Sequence, residues 1–286
     1  VIRVGDNLSR KGASEMYDYP FFEVEKYPEK KTAVLYLNRP DKMNAMNWPF
    51  WRDLPLVVAD LEGDDEVRAV VIAGRGRSFS VGIDVFDFFT QHLETVNAAT
   101  PEAREKLHRL IIEMQRGFNL MHRGEKIYIA AVHRHCIGGA LDLAAACDIR
   151  LASRDAVFSL RETKIAIVAD MGSLNRLPRI IGQGHTRMMA FTGRDFTAEE
   201  ALSMGLVSAV YDDRETLMEA ALKLAAEIAD NAVPAVVGTK RILNYMEDHS
   251  VEDGLNYVAA WNAAFLNTRL IQETFLKAME RQKKKD

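Results

Sequence analysis

The chain has only two cysteines, Cys136 and Cys147, in 286 residues. Both lie in apolar segments, so no disulfide framework is expected and the thiols read as buried, inert groups in a reducing compartment. Long apolar runs are missing as well. Stretches such as 127–132 and 143–147 fall far short of the roughly 20 residues that span a bilayer. No charged-then-apolar leader opens the chain, so no membrane partner is expected. The net charge of -4 and pI near 6.0 argue against wholesale nucleic-acid binding. Neither a Gly-x-Gly-x-x-Gly nor a Walker loop is present, and there is no Gly-x-Ser-x-Gly elbow, which leaves redox dinucleotides and serine hydrolysis without support. His133 and His135 alternate at a strand end and would share a face, but no third ligand stands at a zinc spacing, so no metal is expected.

What remains is ordinary globular composition, 48% hydrophobic and 27% charged, enough for one large domain or one domain with an appendage. Residues 1–19 mix Gly, Ser, Asp, Asn and Lys without periodicity and read as a flexible arm. Two β-rich runs, 21–26 and 32–38, flank a hairpin-like Tyr-Pro-Glu-Lys-Lys turn. Asn47 is placed to cap a helix over 49–61, and Thr100 one over 101–123, each with an early proline. Strands are expected at 67–73, 127–133, 148–153 and 156–160, with a helix at 140–147. This alternation implies an α/β layered core over 20–196. From 197 to 286 the pattern is helical, at 198–204, 214–229, 234–246, 251–266 and 269–281, interrupted by one strand at 208–211. Tyr257, Val258, Trp261, Phe265 and Leu266 form an apolar surface there that suits either intramolecular packing or an oligomer interface. The Arg-Gln-Lys-Lys-Lys-Asp end reads as a solvated helix terminus.

Two strand-to-turn segments share a signature. One runs from Val70 into Ser78-Phe79-Ser80-Val81-Gly82-Ile83-Asp84, the other from Ala130 into Cys136-Ile137-Gly138-Gly139-Ala140-Leu141-Asp142. Backbone N–H groups exposed at such turns can face a developing oxyanion; the glycines alone mean only that a tight turn needs them. Three acids, Asp142, Glu162 and Asp170, stand in weakly polar surroundings where a carboxylate must lose its charge or find a partner. Each has a bland alternative: Asp142 an acid in a first helical turn, Glu162 a surface pair with Arg161, Asp170 an N-cap. Asp84 likewise suits a turn cap. Met114, Met121, Met188 and Met189 read as core fillers.

The segments LNRPDKMNAMN at 37–47, VVIAGRGRSFSVGID at 70–84 and CIGGALDLAAACDIRLAS at 136–153 resemble the crotonase, or enoyl-CoA hydratase/isomerase, superfamily, and the likeness runs from about residue 22 to 280. Within it, the three acids with VADMGSLNRLPRIIG at 168–182 and DHSVEDGLNYVAAWN at 248–262 most resemble the dienoyl-CoA isomerases, which convert 3,5-dienoyl-CoA to 2,4-dienoyl-CoA. The resemblance implies a spiral of ββα units with C-terminal helices supporting a homotrimer or homohexamer. It implies an oxyanion hole of the Ile83 and Gly139 N–H groups. It implies Glu162 at C2, Asp170 at C6 and Asp142 tuning them, for a proton removed at C2 and one returned at C6. Clustered carboxylates should raise at least one pKa, with coupled titrations. The resemblance also implies an acyl-CoA partner lying along Lys42, Met43 and Ala45 and past Gly82, Asp84, Val85 and Gly138, with no cofactor beyond the CoA of the substrate. Arg39, Lys42, Arg75 and Arg77 are available to offset phosphate charge.

Some positions depart from the isomerase pattern: Ala140 for a third glycine, Val81 for a smaller residue, and bulky Met171 after Asp170. A hydratase of the superfamily would carry glutamate at the Asp142 position and a small residue at Asp170, which disfavours hydration. A catalytically silent binding protein on the same fold would need none of the three acids. Localisation is conditional, cytoplasmic for a bacterial chain, with a mitochondrial or peroxisomal place open to a eukaryotic one, since the first residue is Val1 rather than methionine.

Overall fold

The computed structural model describes residues 19–97 and 99–283. Apart from Tyr19, the expected flexible arm lies outside these residues, and so do residues 284–286 of the basic C-terminal end. In chain order the elements are β1 (Phe22–Tyr27), β2 (Thr32–Leu37), α1 (Trp48–Glu62), β3 (Ala69–Gly74), α2 (Val85–Asn97), α3 (Pro101–Arg123), β4 (Ile127–Val132), β5 (His135–Ile137), α4 (Gly139–Ala146), β6 (Ile149–Ser153), β7 (Val157–Ser159), α5 (Ser173–Thr192), β8 (Phe196–Thr197), α6 (Ala198–Ser203), β9 (Ala209–Tyr211), α7 (Arg214–Ala229), α8 (Val233–Tyr245), α9 (Val251–Phe265) and α10 (Thr268–Lys283).

Six strands form one sheet in the order β1-β2-β3-β4-β6-β9, and β5-β7-β8 form a second. Only the β1–β2 hairpin is antiparallel in the larger sheet. Its central strands β2, β3 and β4 are fully buried and almost wholly apolar because both faces are covered. Val70 and Ile72 of β3 face α1 and α3, among Leu54, Val58, Phe118 and Met121. The alternate residues Ala69, Val71 and Ala73 face α7, which answers with Leu217, Ala221 and Ala225 spaced one helical turn apart. Each fully buried aliphatic side chain in these layers contributes about 1.5–3 kcal/mol.

The strands β4 and β6 each hand the chain to the smaller sheet, at β5 and β7, before a helix, α4 or α5, follows. The expected boundary near 197 is not a break in packing: β9 pairs with β6 and α7 packs on β2, β3, β4 and β6. The region beyond α7 is where packing thins. Tyr257 and Trp261 do pack within the chain, Trp261 donating from Nε1 to the Pro234 carbonyl at 3.0 Å and Tyr257 lying edge-on to Tyr245. Phe265 and Leu266 instead remain exposed, so packing within the chain takes up only part of this apolar surface.

Four elements, α2, β5, α5 and β8, have no counterpart among the expected elements. Helix α2 was not anticipated, because Asp84 reads locally as a turn cap; it does cap, accepting from the Asp87 N–H at 3.1 Å, and opens a helix. Asn47 stands at the α1 N-cap position without making the side-chain bond. Thr100 makes its bond, to the Ala103 N–H.

Candidate active site

Strands β3 and β4 run parallel with Ala73 opposite Ala131, so the turns that follow them leave the sheet at the same end. That is where ligands bind in open α/β sheets. The turns are then zipped together: Phe79 donates to the His133 carbonyl, Ser80 to that of His135, and Ile137 to that of Ser80. Gly82 closes the contact. A Cβ on it would lie 2.3 Å from the Ile137 oxygen and 3.3 Å from the Gly139 nitrogen, and its φ is +84°. Only glycine lets the two turns approach this closely.

This register sets the free donors. Met46 donates to the Gly82 carbonyl at 2.8 Å and accepts from the Asp84 N–H at 3.0 Å. In a parallel bridge the residue between those two directs its own N–H away from the partner strand, so the Ile83 N–H is turned away from Met46. Gly139 opens α4, where the first N–H groups have no intrahelical acceptor. Ile83 and Gly139 both line one cavity of about 250 Å³.

All three acids line the same cavity. Asp142 is held from α4 and is 1% exposed. Its Oδ1 accepts from the Ser173 N–H at 2.6 Å, so it spends a hydrogen bond on another element rather than acting as a first-turn acid alone. Burial pushes its carboxyl up to about 6, against the Ser173 bond and the Arg176 charge. Glu162 begins a short 3-10 turn after β7. Its Oε1 is 3.0 Å from where a Gly138 Cβ would lie, and its Oε2 is buried without a hydrogen-bond partner among the described residues. Burial, with repulsion from Asp142, raises its carboxyl to about 7. Arg161 pairs with Asp195 instead, so the surface-pair reading of Glu162 fails. Asp170 is no N-cap: α5 starts at Ser173 after Gly172. Its backbone carbonyl accepts from Gln115 at 2.6 Å, and burial raises its carboxyl too.

The remaining wall is apolar apart from Arg161, with Trp51, Phe88, Phe89, Ile111, Met114 and Met171. Met114 read as a core filler, and Phe88 and Phe89 belong to the unanticipated α2. The pair Asp84 and Asp87, three apart, was the available helix-start signal. Of the expected CoA contacts, Gly82, Val85 and Gly138 line this cavity, while Lys42, Ala45, Asp84 and Val85 line a neighbouring groove of about 520 Å³. Ile83 and Val85 belong to both, which joins them. Met43 lies on neither wall, and its carbonyl accepts from Val81 at 3.2 Å. Arg39 pairs with Asp84 at 2.7 Å; against the upward push of burial, this pair and the Asp87 N–H hold the Asp84 carboxyl below its ordinary value. Arg75 is engaged by Glu23 and stacks on Tyr36, leaving the exposed Lys42 and Arg77 of the four bases. His133 and His135 do not share a face: Arg134 between them has φ +58°, and they contact Gly76 and Ser78 respectively.

Apposed turns that line a largely apolar cavity, with three largely buried carboxyls beside them, can serve chemistry that develops negative charge, and residues 29–285 match the model of the enoyl-CoA hydratase/isomerase family. The chain belongs to this family. Among curated relatives of this family member, the mitochondrial Delta(3,5)-Delta(2,4)-dienoyl-CoA isomerase of Homo sapiens is 44% identical over 84% of this chain and 74% of its own length. The peroxisomal Delta(3,5)-Delta(2,4)-dienoyl-CoA isomerase of Arabidopsis thaliana is 35% identical over 94% and 97%. A crystal structure from Streptomyces coelicolor A3(2), provisionally described as an enoyl-CoA hydratase, superposes with TM-score 0.83 at 27% identity, covering 96% of this chain and 97% of that one.

Proposed function

We propose that this family member is a dienoyl-CoA isomerase that converts 3,5-dienoyl-CoA to 2,4-dienoyl-CoA in fatty-acid β-oxidation. The observation that carries the reading is the convergence of Asp142, Glu162 and Asp170 on one apolar cavity beside the Ile83 and Gly139 N–H groups. With the thioester oxygen on those two donors, C2 is the first carbon beyond the carbonyl. Glu162, whose carboxyl touches the Gly138 turn, is the base at C2. Removing that proton spreads charge over a trienolate whose oxygen receives both N–H groups, worth about 3 kcal/mol per donor in comparable sites. Asp170, whose carboxyl burial also raises, returns a proton at C6. Asp142 stays between them as an electrostatic partner, so one carboxyl serves as acid and another as base. The shift balances within the substrate, so we expect CoA only as part of it and no further cofactor.

The groove at Lys42, Ala45, Asp84 and Val85 is the proposed path of the CoA, leading into the cavity past Ile83. The exposed apolar side chains of α9 and α10, among them Leu255, Phe265, Leu266, Phe275 and Leu276, support assembly as a homotrimer or a pair of trimers, checked by light scattering. No helix among the described residues is long and apolar enough to cross a membrane. The relatives named mitochondrial and peroxisomal support an organellar place if the chain is eukaryotic.

Incubation with 3,5-octadienoyl-CoA tests the activity directly. The absorbance of a diene conjugated to the thioester is expected to rise. No change at high enzyme concentration removes the isomerase reading, and consumption of a 2-enoyl-CoA by water addition in its place favours a hydratase.

A further inference from the structure

We propose that Arg176, on the far side of the acid cluster from the substrate cavity, is a positioning residue that holds the 170–173 turn and sets the charge facing Asp142. This rests on the isomerase reading of the cavity. The turn is stapled on three sides. The Asp170 carbonyl accepts from Gln115 of α3 at 2.6 Å. The Met171 carbonyl is reached by Arg176 Nη1 at 3.4 Å. The Ser173 N–H donates to Asp142 at 2.6 Å. Arg176 is itself anchored, with Nη2 on Asn119 Oδ1 at 2.7 Å.

The turn is shaped around this guanidinium. Gly172 has φ +114°, and a Cβ there would lie 1.9 Å from Arg176 Nη1, so the arginine occupies the space the glycine leaves. No carboxylate among the described residues pairs with Arg176 within ion-pair distance. The groups that act on it are Asp142 and Cys147 on and after α4, Glu247 after α8, and Arg123 on α3. His122 of α3 and Arg179 of α5 share with it a polar cavity of about 520 Å³. Glu247 is already engaged, 3.4 Å from His122 and 3.7 Å from Arg179. That leaves Asp142 as the carboxylate on which the Arg176 charge chiefly acts. The cation lowers the proton affinity of Asp142 and opposes burial there. In this way Arg176 joins two tasks, aiming Asp170 through the backbone of its turn and favouring the ionised form of Asp142.

The full chain with Arg176→Met, Arg176→Lys or Gln115→Leu separates these tasks. Two readouts are followed against pH: kcat/KM with 3,5-octadienoyl-CoA, and the infrared band of protonated carboxyls. In Arg176→Met the carboxyl band is expected to move to higher pH, because Asp142 loses the opposing cation, and the acid limb to lower pH, because a protonated Asp142 repels Glu162 less. Arg176→Lys keeps the charge but loses the fork to Met171 and Asn119, so the limb stays while kcat falls. Gln115→Leu releases the Asp170 carbonyl and likewise lowers kcat with the limb in place. If Arg176→Met does not fold, Arg176→Gln is read in the same way. A limb and band unmoved on loss of the charge, or moved equally by the lysine variant, overturn the proposal. An inactive wild-type protein would fail the isomerase reading alone, because the infrared titration still decides the role of Arg176.

Discussion

Replacing Glu162 by glutamine is expected to make the protein less active and more stable. The two effects have one source. The Glu162 carboxyl titrates near 7 in the folded chain against an ordinary 4.5, chiefly through burial and then through repulsion from Asp142. Below about pH 4.5 it is protonated whether the chain is folded or unfolded, and the substitution changes little. Between pH 4.5 and 7 the unfolded chain gives up its proton first, so wild-type stability falls as pH rises. Above pH 7 the full penalty is present, about 3 kcal/mol at roughly 1.4 kcal/mol per pH unit. Glutamine matches the neutral carboxyl in shape, and Oε2 already lacks a partner, so the amide adds no new unsatisfied group. A gain of about 3 kcal/mol corresponds to roughly 5 °C in Tm for a chain of this size. Tm measured at pH 5 and pH 8, at one protein concentration, is therefore expected to match wild type closely at the first and exceed it at the second. Loss of the base should lower kcat by about 10²–10⁴-fold. Equal differences in Tm at both pH values, or a variant less stable at pH 8, would refute the burial argument for Glu162.

Asp170→Asn should abolish isomerisation while leaving the affinity for a saturated acyl-CoA nearly unchanged; wild-type rates in that variant would remove Asp170 from the mechanism. Gly82→Ala pushes the Ile137 carbonyl and the Gly139 nitrogen away from residue 82 and should lower kcat about 10²-fold through loss of one oxyanion donor, as read by steady-state kinetics on protein shown to be folded by circular dichroism. The acid limb of kcat/KM should lie near pH 7, since Glu162 must be ionised to act as base. Asp142→Asn removes the neighbouring negative charge, so its limb should move to lower pH.

Local chemistry made most of the fold legible. The apolar runs of β3 and β4, the Thr100 cap and the helical spacing of α3 and α7 each follow from interactions within a few residues, and they stand where those interactions place them. The short partners in the smaller sheet, β5 and β8, were missed because a strand of two or three residues has too little period to read. Helix α2 was missed although its apolar residues keep a helical spacing, because Asp84 by itself suits an isolated turn; none of the helix is buried in a core.

The chemical identity of the site was carried by residue types in order: two glycine turns and three acids. What each acid does was not. Asp142 as a first-turn acid, Glu162 as a partner of Arg161 and Asp170 as a cap are all reasonable within ten residues of sequence. Tertiary structure overrides them because desolvation and electrostatic coupling depend on what packs from distant elements: α5 supplies the Ser173 N–H to Asp142, α3 the Gln115 amide to the Asp170 carbonyl, and the Gly138 turn the surface on which Glu162 rests. The free donors at Ile83 and Gly139 belong to the same class, since a backbone N–H is available only when register leaves it without a partner. Residue types and spacing thus established which groups the protein could use, and long-range packing established which of them are dry, charged and within reach of one another.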